Sequence, residues 1–65
     1  MFYQPIYNKD GAIIFRLSDD EKNLEIDTYT DGTSIYINCS LYEVETLKDT
    51  LECVLATMVQ SKNNE

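Results

Sequence analysis

The chain has 65 residues, with twelve acidic and five basic side chains, no histidine, two cysteines and a net charge of −7. That length holds one domain (1–65), with a core too small to be more than marginally stable alone. The lack of histidine excludes Ser-His-Asp and Cys-His catalysis, and two cysteines without histidine are too few soft ligands for zinc.

Residues 2–7 read as a first strand. Pro5 cannot donate to a ladder, which sets that strand at an edge. Asn8-Lys9-Asp10-Gly11 is a dense turn signal. Residues 12–18 form the second strand, with Ile13, Phe15 and Leu17 alternating on one face. A polar loop, Asp19-Asp20-Glu21-Lys22-Asn23, leads to a third strand at 24–30. Asp31-Gly32 is a two-residue hairpin signal of type I′, and a fourth strand follows at 33–39. A helix is predicted over 41–60, with a frayed polar tail at 61–65. Ser40 and Glu43 make a capping box, and Cys39 and Val44 sit where an apolar staple sets the approach angle. Leu41, Val44, Leu47, Leu51, Val54, Leu55 and Met58 form one stripe at period 3.6, which needs a flat apolar surface to lie on.

The Asp31-Gly32 turn fixes a register. It pairs Thr30 with Thr33, Thr28 with Ile35, Ile26 with Ile37 and Leu24 with Cys39, so the apolar side chains share one face. The other face pairs Tyr29 with Ser34, Asp27 with Tyr36 and Glu25 with Asn38. Closing the preceding hairpin at Leu17–Leu24 sets Phe15 beside Ile26, and Arg16 beside Glu25 as a favourable cross-strand pair. The expected fold class is α+β: a four-stranded antiparallel β-meander with one long C-terminal helix packed on its inner face (ββββα). Leu51 is expected to be buried beneath that helix.

Cys39 and Cys53 lie ~20 Å apart along a continuous helix, too far for a disulfide. Both read as small core residues. Reduced thiols, no basic leader and no run of ~20 apolar residues point to a cytoplasmic protein without a membrane span. Without disulfide or metal, a partner subunit is the remaining source of stability. A homodimer is therefore expected, by packing of faces or by pairing along the edge of the fourth strand.

No cofactor, metal site or catalytic residue is expected. Asp27 to Gly32 has the opening spacing of an EF-hand, but Tyr29 stands at a ligand position and Asn38 where the bidentate Glu belongs. Six of the twelve acids lie between Asp19 and Asp31. Carboxylates interleaved with tyrosines make a surface that can occupy a basic, nucleic-acid-binding cleft: charge steers the encounter and tyrosines anchor it. The expected function is a small acidic, non-enzymatic inhibitor or modulator of a basic partner protein, a nucleic-acid mimic of the phage-encoded or immunity type. Asp19, Asp20, Glu21, Glu25, Asp27, Tyr29, Asp31 and Tyr36 are the expected contacts. Tyr7 and Tyr42 read as structural. The acids Glu43, Glu45, Asp49 and Glu52 read as the solvated helix face.

An open sheet face carrying Tyr3, Tyr29 and Tyr36 is also a stacking platform for single strands. In element order alone, a dimerising ββββα unit resembles the PC4-like single-stranded-DNA-binding coactivators. That resemblance implies a single-stranded nucleic-acid-binding module using the open sheet. Glu25 and Asp27 on the same face, with only Arg16 to meet phosphates, argue against it.

Overall fold

Alternating side chains and two tight turns make a sheet with unlike faces. In the computed structural model, which describes residues 2–64, β1 (Tyr3–Asn8), β2 (Gly11–Leu17), β3 (Leu24–Thr30) and β4 (Thr33–Cys39) pair antiparallel in the order β1-β2-β3-β4. The helix α1 (Leu41–Asn63) follows after the single residue Ser40. Both hairpins of the expected register are present, with Thr30 opposite Thr33, Leu17 opposite Leu24 and Arg16 opposite Glu25. Asp31 and Gly32 both take positive φ, 48° and 79°, the conformation a type I′ turn requires.

The first hairpin closes over Lys9-Asp10, with Asn8 opposite Gly11. Asn8 Oδ1 accepts from the N–H of Asp10 (2.8 Å) and of Gly11 (3.0 Å), an Asx turn that shapes the loop. Thr30 Oγ1 donates to the Asp10 carbonyl at 2.8 Å and ties this loop to the end of β3. The β2–β3 loop closes differently. The Ser18 N–H donates to the Asn23 carbonyl and the Glu21 N–H to the Ser18 carbonyl, both at 2.9 Å, with Glu21 at φ 60°. Ser18 therefore belongs to the loop rather than to β2. Asp20 Oδ1 accepts from Ser18 Oγ (2.6 Å) and from the Lys22 N–H (3.0 Å).

The helix start forms the expected capping box: the Ser40 N–H donates to Glu43 Oε1 at 2.9 Å, and the Glu43 N–H to Ser40 Oγ at 3.4 Å. The far end differs from expectation. Ser61, Lys62 and Asn63 continue the helix instead of fraying, and Glu65 lies outside the described residues. No breaker stands there. Lys62 complements the dipole in the last turn, and the Asn64 N–H bonds back to Gln60 and Ser61.

The larger difference is how little of the helix the sheet covers. None of its residues is buried, and it meets the sheet chiefly along β4. Val44 and Leu47 are half-covered; Leu51, expected in the core, is 53% exposed. A largely apolar cleft separates the two layers, lined by Phe15 and Leu24 from the sheet and by Val44, Leu47, Leu51 and Leu55 from the helix, together with the Lys48–Glu52 ion pair. Cys39 is the one buried apolar side chain among the described residues, while Cys53 is exposed rather than in a core; both are free thiols. The reason is geometric. With one linking residue, the helix direction is set in its first turn, and ~1.5 Å of rise per residue carries the later turns away from their starting point.

Two carboxylates of this frame titrate below their ordinary range. The hydroxyl of Ser18, then the Lys22 N–H, hold Asp20 down; the backbone N–H of Ser40, then its hydroxyl, hold Glu43 down. The unfolded chain therefore takes up these protons at higher pH than the folded one. Stability is fully present above about pH 4–5 and is lost as pH falls through the lowered folded values. Thermal melts followed by circular dichroism at pH 7, 5 and 3 check this. Asp20→Asn with Glu43→Gln is expected to flatten the slope below pH 5; an unchanged slope would assign the acid sensitivity elsewhere.

Candidate interaction face

The register stacks the outer face in three rows across the strands: Tyr3–Arg16–Glu25–Asn38, Pro5–Ile14–Asp27–Tyr36 and Tyr7–Ala12–Tyr29–Ser34. Among the described residues no element packs over this face, and Tyr3, Tyr7, Tyr29 and Tyr36 are all exposed. Tyr7, expected to be structural, is 71% exposed, and Tyr42 on the helix is 76% exposed. For Tyr7 the cause is the first hairpin. A loop of two residues puts odd-numbered β1 positions on the outer face, so Tyr3 and Tyr7 join Tyr29 and Tyr36. Tyr42 lies in the first helical turn, off the apolar stripe, where no described residue buries it.

Arg16 lies between two carboxylates. Its Nε donates to Glu25 Oε1 at 3.0 Å in the directly opposed pair, and its Nη2 stands 2.7 Å from Asp27 Oδ2 on the diagonal. The Glu25 hydrogen bond is the main reason the guanidinium holds its proton still more firmly than usual. Asp27 is only 7% exposed, and its Oδ2 has no aligned hydrogen bond, so the contact with Nη2 is short-range ionic attraction. Asp27 sits in the middle row, flanked by Ile14 and Tyr36, and depends on Arg16 for compensation. Arg16→Ala should therefore cost more than loss of an ordinary surface ion pair, because it leaves Asp27 without its cation. Urea unfolding checks this; a loss below about 0.5 kcal/mol would put the pair with ordinary surface pairs.

The eight residues expected to bind a partner do not form one patch. Glu25, Asp27, Tyr29 and Tyr36 share the outer face. Asp19, Asp20 and Glu21 lie in the loop at one end of β3, and Asp31 lies in the turn at the other, roughly 20 Å away along the strand. A shallow recess joins the first two groups, lined by Arg16, Leu17, Ser18, Asp19, Asp20 and Glu25. Of its carboxylates, Glu25 is engaged by Arg16 and Asp20 by its own loop, which leaves Asp19 outward-facing. A relay fixes the adjoining rim: Asn23 Nδ2 donates to Asn38 Oδ1 at 2.7 Å, and Asn38 Nδ2 to the Tyr36 hydroxyl at 3.1 Å.

Among the described residues, no three His, Cys, Asp or Glu side chains converge to hold a metal ion, and no helix is long and apolar enough to cross a membrane. No family model, curated protein or solved structure matches the chain.

Proposed function

We propose that this chain is a small acidic, non-enzymatic binding protein that acts as a homodimer in the cytoplasm. It inhibits or modulates a basic partner of the nucleic-acid-processing kind by occupying the partner's nucleic-acid cleft. The observation that carries the reading is the outer sheet face: four exposed tyrosines set among carboxylates, with Arg16 the one cation in its rows, on a chain of net charge −7. Aromatic side chains supply most of the anchoring energy at such interfaces, and acidic rims steer basic partners to them. Asp19, Glu21 and Asp31 are the free steering charges. Glu25 and Asp27 present a partly neutralised centre, and Tyr29 and Tyr36 the adjoining anchors.

The test separates steering from folding. The purified protein is used to retrieve partners from lysate after nuclease treatment, with washes of rising salt. A basic protein released by salt is expected. The double variant Asp19→Lys, Glu21→Lys spares every internal ion pair and should weaken its capture at least tenfold at low salt. Unchanged capture would end the acidic-mimic reading.

The tyrosines also favour a second reading, a single-stranded nucleic-acid-binding module on the same face. It predicts that the protein binds an oligothymidine, and that Tyr29→Ala with Tyr36→Ala abolishes this while the loop variant leaves it intact.

A further inference from the structure

We propose that the inner face of the sheet is covered by the second half of α1 from another copy of this chain, each copy covering the other across a two-fold axis. The inference rests on the homodimer of the proposed function and assigns the surface that makes it; it does not depend on what the outer face binds.

Three observations carry it. The first is area. The chain exposes 5586 Å², whereas a compact monomer of 7.5 kDa exposes about 4,200 Å². Its radius of gyration is 14.2 Å, against about 11 Å for a compact domain of this length. The excess, on the order of 1,300 Å², falls within the area each partner gives up in a permanent dimer.

The second observation is charge. No inner-face position, from Gln4 in β1 to Cys39 in β4, carries a charged side chain. A chain with net charge −7 meets a copy of itself most easily across surfaces without charge. A basic partner would find nothing to pair with there. The occupant that fits is a second uncharged apolar surface, and the helix stripe is one.

The third is self-complementarity. Ile6, Ile13 and Ile35 are exposed on one row of the sheet away from the helix start, and Ile37 is exposed in the next row. On the helix, Leu51, Leu55 and Met58 continue the line of the half-covered Val44 and Leu47 and are themselves exposed. The helix is 23 residues long, roughly 34 Å, against roughly 23 Å for a seven-residue strand. Its last two turns therefore extend beyond the length of a strand, while Leu51 and Leu55 stand over the open cleft without being buried in it. An isologous pair uses both surplus surfaces at once, the helix of one copy on the open isoleucines of the other.

The test is sedimentation equilibrium with isotope-filtered NMR on a mixture of labelled and unlabelled chains. A dimer is expected, with intermolecular contacts from the Leu55 and Met58 methyls to those of Ile13 and Ile35. Leu55→Glu with Met58→Glu alters two side chains that are exposed in the single chain, and should halve the apparent mass while the circular dichroism spectrum keeps its strand and helix signals. A wild-type monomer at micromolar concentration would overturn both the homodimer and this assignment. A dimer whose intermolecular contacts run only along the β4 edge, or between helices without the sheet, would overturn the assignment and leave the homodimer standing. If the double variant fails to fold, the intermolecular contacts of the wild-type mixture still decide.

Discussion

Replacing Gly11 by alanine is expected to cost about 3–5 kcal/mol, in the range reserved for named structural failures. A 65-residue domain has roughly 3–10 kcal/mol in total, so the variant should be largely unfolded at room temperature. Gly11 begins β2 opposite Thr30, and its φ of 155° is unusual for an L residue. A Cβ there would stand on the carbonyl oxygen of Tyr29, inside any van der Waals contact, and the obstacle is backbone that cannot rotate away. Relief requires pulling β2 from β3 at the point where the first turn is stitched to Thr30. Gly32 is the control. Its Cβ would meet nothing, so Gly32→Ala bears only the strain of φ 79°, about 1 kcal/mol. Urea unfolding of the two variants checks the contrast; equal losses would mean that the β2–β3 approach is not rigid.

Leu51→Ala is the second large effect, and its size depends on what covers the helix. In a single chain Leu51 is half exposed at the mouth of the cleft between helix and sheet, and truncation would cost about 1 kcal/mol. Beneath a second copy it becomes a core residue, and the cost rises to about 2–5 kcal/mol. The unfolding midpoint of the wild-type protein should then increase with protein concentration, because association stabilises the folded state by mass action. Chemical unfolding at several concentrations measures both quantities. A loss below about 1 kcal/mol, with a midpoint independent of concentration, would show Leu51 uncovered in solution.

Particular residues show how far the chain could be read in advance. Asp31-Gly32 sets two residues at positive φ, and from that turn the pairing of β3 with β4 follows by counting; the Leu17–Leu24 closure gave Arg16 opposite Glu25 in the same way. Ser40 and Glu43 marked the helix start because a capping box is a contact between residues three apart. The first hairpin was less legible. Asn8-Lys9-Asp10-Gly11 admits more than one loop length, and each shift by one residue moves Tyr3, Pro5 and Tyr7 to the opposite face. Tyr7 was read as structural without a register for β1; counting outward from a two-residue Lys9-Asp10 loop sets it beside Ala12 and Tyr29, on the same face as Tyr3. The diagonal contact from Arg16 to Asp27 was missed because a direct pairing rule names the residue opposite, not the one two further along.

By itself, then, the sequence determined what depends on near neighbours and on period: four strands, the type I′ turn at Asp31-Gly32, the registers of β2 with β3 and of β3 with β4, the helix and its cap, and a chain with six of its twelve acids between Asp19 and Asp31. The tertiary structure decided where the helix goes and what it leaves uncovered. A stripe at period 3.6 states that a surface must be found, not which surface or on which copy. The angle at a one-residue link and the length of the helix relative to the sheet decide that, and both are properties of the assembled elements. The same holds for Asp27, whose burial and reliance on Arg16 arise only when three strands bring Ile14, Arg16 and Tyr36 around it.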